Sequence, residues 1–119
     1  MPRPCPCGTG LALGACCGPL LDGAPADTPE ALMRSRYTAF AFGDEQHLLR
    51  TWHPTTRPAA VPLDPSTRWT GLEVLRAEGT VVAFVARYED ATGSHELRET
   101  SRFARADDTG WQYVRGRHE

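Results

Sequence analysis

All four cysteines of the chain lie in one stretch, CPCGTGLALGACC, running from Cys5 to Cys17. No cysteine follows, so the rest of the chain must fold without a disulfide or thiolate staple. It has the material to do so. The chain is 119 residues long and 40% hydrophobic, and a chain of this size buries roughly two-thirds of its unfolded surface. The distribution therefore divides the molecule into a short cysteine-rich segment, residues 1–22, and a self-sufficient domain, residues 28–119. Asp22 to Asp27 forms a Gly/Pro/Ala linker between them.

The cysteine pattern is Cys5-x-Cys7, eight residues, then Cys16-Cys17. Structural zinc takes four soft ligands in a tetrahedron, which four thiolates supply. Two close pairs reach that geometry if the loop between them reverses, and Gly8, Gly10 and Gly14 permit a reversal. A closed shell of four thiolates leaves no open position for catalysis, so the expected cofactor is one structural zinc ion on Cys5, Cys7, Cys16 and Cys17. Iron–sulfur ligation is the weaker metal reading, because the spacing matches no cluster run. Disulfides compete, although bonding adjacent Cys16 and Cys17 to each other is strained. Four independent thiols is the remaining alternative. The N-terminus lacks the apolar core of a secretory signal, and no apolar run approaches the ~20 residues of a membrane span. The expected location is the cytoplasm, where thiols stay reduced or metal-bound. A net charge of −2 argues against a general nucleic-acid binder.

The cysteine stretch, read as CPCGTG followed by ACCG, resembles the SEC-C motif. That motif is the zinc knuckle at the C-terminus of the bacterial preprotein-translocase motor ATPase, where it carries zinc and docks a chaperone and membrane lipid. The four ligand positions match residue by residue. Thr9 stands where serine is usual, and residues 11–15 carry none of the motif's usual lysines.

Beyond the linker, Thr28 is a good N-cap, Pro29 suits the first helical position, and Gly43 ends the helix. Met33, Tyr37 and Phe40 recur at helical spacing and mark its buried face. Asp44 caps a second helix bearing Leu48, Leu49 and Trp52, which stops before Pro54. Residues 53–67 hold four prolines and form an irregular crossing. Four strands follow, Leu72–Ala77, Val81–Glu89, Leu97–Arg105 and Trp111–Arg115. Turn signals at Glu78-Gly79, Asp90–Ser94 and Asp107–Gly110 separate them. Links this short make an antiparallel meander.

MRSRYTAF (Met33 to Phe40), TWHP (Thr51 to Pro54), FVARY (Phe84 to Tyr88) and ETSRF (Glu99 to Phe103) stand in that order. They resemble the YchJ family of bacterial proteins over nearly the whole chain. The resemblance implies an α+β fold. Two N-terminal helices pack on a curved antiparallel sheet, in the cystatin-like cone also found in nuclear transport factor two, behind the SEC-C knuckle.

Polar residues fall where the core belongs. Arg36 sits between Met33 and Phe40 on the apolar side of its helix. Strand alternation turns Glu99 and Ser101 inward with Leu97 and Phe103. An unpaired buried guanidinium is costly, so Arg36 and Glu99 are expected partners, with Ser101 and Tyr37 adding hydrogen bonds. His53 is expected near the mouth of the cone. His47, His95 and His118 read as surface residues, and Trp69 and Trp111 as packing. The leading functional reading is a non-catalytic zinc-bearing adapter for a protein partner. The alternative is a polar pocket inside the cone, lined by Arg36, Tyr37, His53, Glu99 and Ser101, that binds a small anionic ligand or works as an enzyme. A cavity reaching Arg36 and Glu99 favours the pocket, whereas a filled cone favours the adapter. Because the cone carries no cysteine, loss of metal is expected to leave it folded.

Overall fold

The computed structural model describes residues 3–106 and 110–118. Its main helix, α2 (Pro29–Phe42), starts where Thr28 Oγ1 accepts the Ala31 N–H at 3.1 Å. It ends at Gly43, whose φ of 76° only glycine adopts without strain. Helix α3 (Glu45–Arg50) starts where the Asp44 carboxylate accepts the His47 N–H at 3.1 Å. Caps of this kind are worth about 1 kcal/mol each. Trp52 lies beyond α3 and makes a parallel bridge to Tyr113, so the second helix is shorter than expected. A short helix, α1 (Gly18–Leu21), precedes them and follows a 3-10 turn at Leu13–Ala15.

Strands β1 (Arg68–Glu78), β2 (Val81–Asp90), β3 (Gly93–Ala106) and β4 (Gly110–His118) form one antiparallel sheet in sequential order. Each outruns its expected limits, because cross-strand hydrogen bonds carry the ladder through polar ends that show no alternation. The turn signal at Asp107–Gly110 falls partly outside the described residues. Register shifts at Trp69/Gly71 and Val74/Arg76 in β1, and at Arg102/Phe103 in β3, interrupt the ladder. Such irregularities raise the local twist and bend a sheet into a cone wall.

The concave face meets α2. Leu32, Met33 and Tyr37 of the helix pack with Val82, Phe84, Ala86 and Phe103 of the sheet, all 7% exposed or less. A second cluster joins Ala39, Leu48 and Val61. Val61 is the anchor of the irregular crossing, and its N–H donates to Glu45 Oε2 at 2.8 Å. The linker is likewise held: Ala26 is 6% exposed and bridges Gly110.

The knuckle is not an independent appendage of this core. Cys5, Cys7 and Cys17 belong to the same buried cluster as Leu32, Met33 and Phe84. The expectation that the core around the cone is free of cysteine is therefore corrected. Seventeen residues are too few to bury their own thiols, and the flank of α2 does it for them. No described helix is long and apolar enough to cross a membrane.

Candidate functional site

The cysteine cluster is built by a reversal. Gly8 and Gly10 take φ of 87° and 84°, and Pro4 bridges back to Ala12. Cys5 and Cys7 thus face the 3-10 turn and the start of α1, which present Cys16 and Cys17. The four sulfurs lie within 4.8 Å of one another. Cys5 to Cys7 is 3.4 Å and Cys7 to Cys16 is 3.5 Å. Neither is a bond, and all four cysteines are free. With metal–sulfur bonds of about 2.3 Å, a tetrahedron has edges of about 3.8 Å, so these spacings suit one four-coordinate ion. Hydrogen bonds steady the frame. Arg34 Nη1 donates to the Cys7 carbonyl at 2.8 Å, and the Leu11 N–H donates to Thr9 Oγ1, 3.2 Å from Cys16 Sγ. The sulfurs already share negative charge unevenly. A hydrogen bond from Cys17 is the main cause that pushes Cys7 down to about 4, and it holds the Cys17 thiol up.

The second feature is a cavity of about 260 Å³ inside the cone. Met33, Phe40, Trp52, Trp69, Phe84, Phe103 and Tyr113 give it an apolar, largely aromatic wall, while Arg36, Tyr37, Glu99, Ser101 and His118 bring polar groups to it. Arg36 is 6% exposed. Its Nη1 donates to the Leu48 carbonyl at 2.7 Å and to Thr51 Oγ1 at 2.8 Å. The guanidinium carbon lies 4.5 Å from the centre of the Tyr113 ring and 5.0 Å from that of Trp52. Burial pulls its pKa down to about 10, against the opposing fields of Tyr113 and Glu99.

The direct Arg36–Glu99 pair expected from the sequence does not form. Glu99 Oε2 instead accepts from Ser101 Oγ at 2.6 Å, and His118 Nε2 stands 3.0 Å from Glu99 Oε1. The reason is lateral. Arg36 leans toward the end of α3 and Trp52, while Glu99 turns toward the neighbouring strand β4. There Gly116 stands opposite Ser101, and a Cβ on it would lie 2.1 Å from Glu99 Oε2. Tyr37 lines the cavity and packs edge-on to Trp69 at 5.8 Å.

His53 is not part of this set. Its Nδ1 lies 2.8 Å from Thr55 Oγ1 and accepts the Thr55 N–H, which makes it a turn residue on the irregular crossing. His118, read as a lone surface residue, is two-thirds exposed yet touches Glu99. The strand register that brings it there extends past the expected end of β4. His47, by contrast, departs from the surface reading. It is 1% exposed, between α2 and α3. Trp69 is packing, as expected, within a cluster with Tyr37, Phe40 and Tyr88.

Comparison with known proteins gives consistent matches. The family model for the "YchJ, middle NTF2-like domain" matches residues 28–116. A UPF0225 protein of Deinococcus radiodurans is 47% identical over 114 residues, covering 94% of this chain and 87% of that protein. A UPF0225 protein of Streptomyces coelicolor is 50% identical over 121 residues, covering 95% and 94%. The crystal structure of a SEC-C motif-containing protein from Psychrobacter arcticus superposes with a TM-score of 0.75 at 26% identity, covering 95% of this chain and 81% of that one.

Proposed function

The chain belongs to the YchJ family, and from that premise we propose that it binds a small, mostly apolar carboxylate inside its cone, with one structural zinc ion holding the N-terminal knuckle. The observation that carries this reading is the 260 Å³ cavity with Arg36 on its wall. A filled cone would have favoured the adapter. The cavity, at about 260 Å³, exceeds the ~150 Å³ space that accepts benzene and lies just below the roughly 300–1,000 Å³ of ligand pockets for drug-sized molecules. Its occupant is therefore about the size of one ring with a short side group.

Charge selects the head group. Glu99 already has Ser101 and His118 as partners. Arg36 has only neutral acceptors and two ring faces, with no carboxylate within ion-pair distance among the described residues. A buried cation in that state gains most from an anion that accepts from its fork. The aromatic wall takes the rest of the ligand. Zinc follows from four thiolates at tetrahedral spacing, the donor set that closed structural sites use.

The test is a thermal-shift and calorimetric screen of benzoate, phenylacetate and branched aliphatic carboxylates against the full chain and Arg36→Met. A ligand at 100 times its Kd stabilises by about 2.7 kcal/mol, or roughly 10 °C in a domain of this size. A shift of that kind in the native chain and none in Arg36→Met supports the reading. Equal shifts in both, or none with any carboxylate, refute it.

A further inference from the structure

The convex face of the sheet has a separate chemistry. On β3 the inward residues Leu97, Glu99, Ser101 and Phe103 alternate with Arg98, Thr100 and Arg102 on the outer face. On β4, Gly116 and His118 pair with inward Ser101 and Glu99, which places Arg115 and Arg117 outward. Arg115 lies directly opposite Arg102, and Arg117 lies opposite Thr100, one step from Arg98. Four exposed guanidinium groups thus form a ladder two strands wide, spaced about 4.8 Å across and about 6.7 Å along it. None of the four has an ion-pair partner among the described residues. Of the acids of this face, Glu73 and Glu96 are both bound to Arg87 at 3.1 and 2.9 Å, and Glu78 stands two strands away from Arg102, across Val81.

Like charges directly opposite each other on a sheet are destabilising. A chain of net charge −2 had acids to spare for relieving this one. Overall charge, which argued against nucleic acid, averages over faces and misses such a cluster. We propose that this ladder binds the phosphate backbone of a single-stranded nucleic acid. Arginine presents a fork that fits phosphate. A protein partner would seat its hot-spot contacts in a desolvated pocket, and this flat face offers little apolar surface to line one: the adjoining outer residues of β2, Ala83 and Val85, are 9% and 1% exposed. A flat anionic membrane would press Glu73 and Glu96 against its own charge, whereas one strand of phosphates runs along the ladder between them. Among the described residues the outer face of β3–β4 carries no aromatic ring for base stacking, so binding is independent of sequence.

The experiment is fluorescence anisotropy of a labelled 20-nucleotide oligothymidylate with the full chain. Four phosphate contacts give a salt slope of about −3, so affinity falls roughly 50-fold between 50 and 200 mM NaCl. Losing one contact weakens binding about eightfold at 50 mM. Arg102→Glu and Arg115→Glu are each expected to cost at least that, with a Tm at or above the native value because a repulsion is removed. Arg57→Glu makes the same charge change on the irregular crossing, and is expected to bind within twofold of the native chain. Absence of binding at 50 mM overturns the proposal, as does equal weakening by Arg57→Glu. Binding to phosphatidylserine vesicles without binding to the oligonucleotide overturns it in favour of a membrane.

Discussion

Lowering the pH through the histidine range should weaken the fold through one residue, His47. The geometry assigns its proton. Arg50 Nη2 can only donate, and it lies 2.9 Å from His47 Nδ1, so Nδ1 accepts. The ring proton is then on Nε2, 2.8 Å from Ser35 Oγ, which in turn donates to the Leu32 carbonyl at 2.7 Å. A second proton would sit on Nδ1 and face the guanidinium in a site 1% exposed. Burial first, then the Arg50 and Arg36 charges, pull the His47 pKa from 6.5 to about 4, against the weaker opposing field of Asp44. The unfolded chain therefore takes up this proton before the folded chain does. Stability from this source is complete above pH 6.5, declines as pH falls, and is fully lost below about 4. At 1.36 kcal/mol per pH unit the loss approaches 3 kcal/mol. That is a large fraction of the 5–15 kcal/mol typical of a domain. The same Arg50 nitrogen lies 3.3 Å from the Leu20 and Leu21 carbonyls, so the strain reaches the knuckle as well. The assay is denaturant unfolding of the native chain and His47→Gln from pH 7.5 to 4. Glutamine can keep both hydrogen bonds and does not titrate, and acid effects on the thiolates are common to both proteins. The gap between the two stabilities should change by about 3 kcal/mol across that range. Parallel pH profiles would refute the argument.

Metal analysis of protein purified without chelator should give one zinc per chain. Because Cys5, Cys7 and Cys17 sit in the main core, a chelator should lower the unfolding transition of the whole domain in differential scanning calorimetry; a separate, small low-temperature step would show instead that the knuckle melts alone. Arg36→Met should change stability by under about 1.5 kcal/mol in denaturant titration, because it removes a buried cation along with its hydrogen bonds. A loss beyond 3 kcal/mol would make Arg36 a structural residue. Gly116→Ala should push the Glu99 carboxylate off Ser101, since its Cβ would lie 2.1 Å from Glu99 Oε2. The carboxylate ends a flexible side chain, so the cost in stability should stay near 1 kcal/mol while the ¹³C shift of the Glu99 carboxyl moves; an unchanged shift would count against that packing.

Local chemistry was enough to place most of the elements. Thr28, Pro29, Gly43 and Asp44 bound their helices because caps act within a few residues on the backbone next to them. The cysteine spacing, with glycines able to reverse the loop, was enough to foresee four thiols in one cluster. Alternation turned Glu99 and Ser101 inward. Tertiary structure decided what the inward groups meet. Arg36 and Glu99 share a cavity but not a bond, because α3 and Trp52 offer Arg36 nearer partners and bare Gly116 leaves Glu99 room beside β4. His47 departs from its expected surface position for the same reason. Burial depends on which distant element arrives, and a histidine beside Ser35 twelve residues back looks, along the chain, no different from one in water. The outer arginine ladder is the clearest case. Arg102 and Arg115 lie on neighbouring strands, and only the register shift between Arg102 and Phe103 sets them face to face.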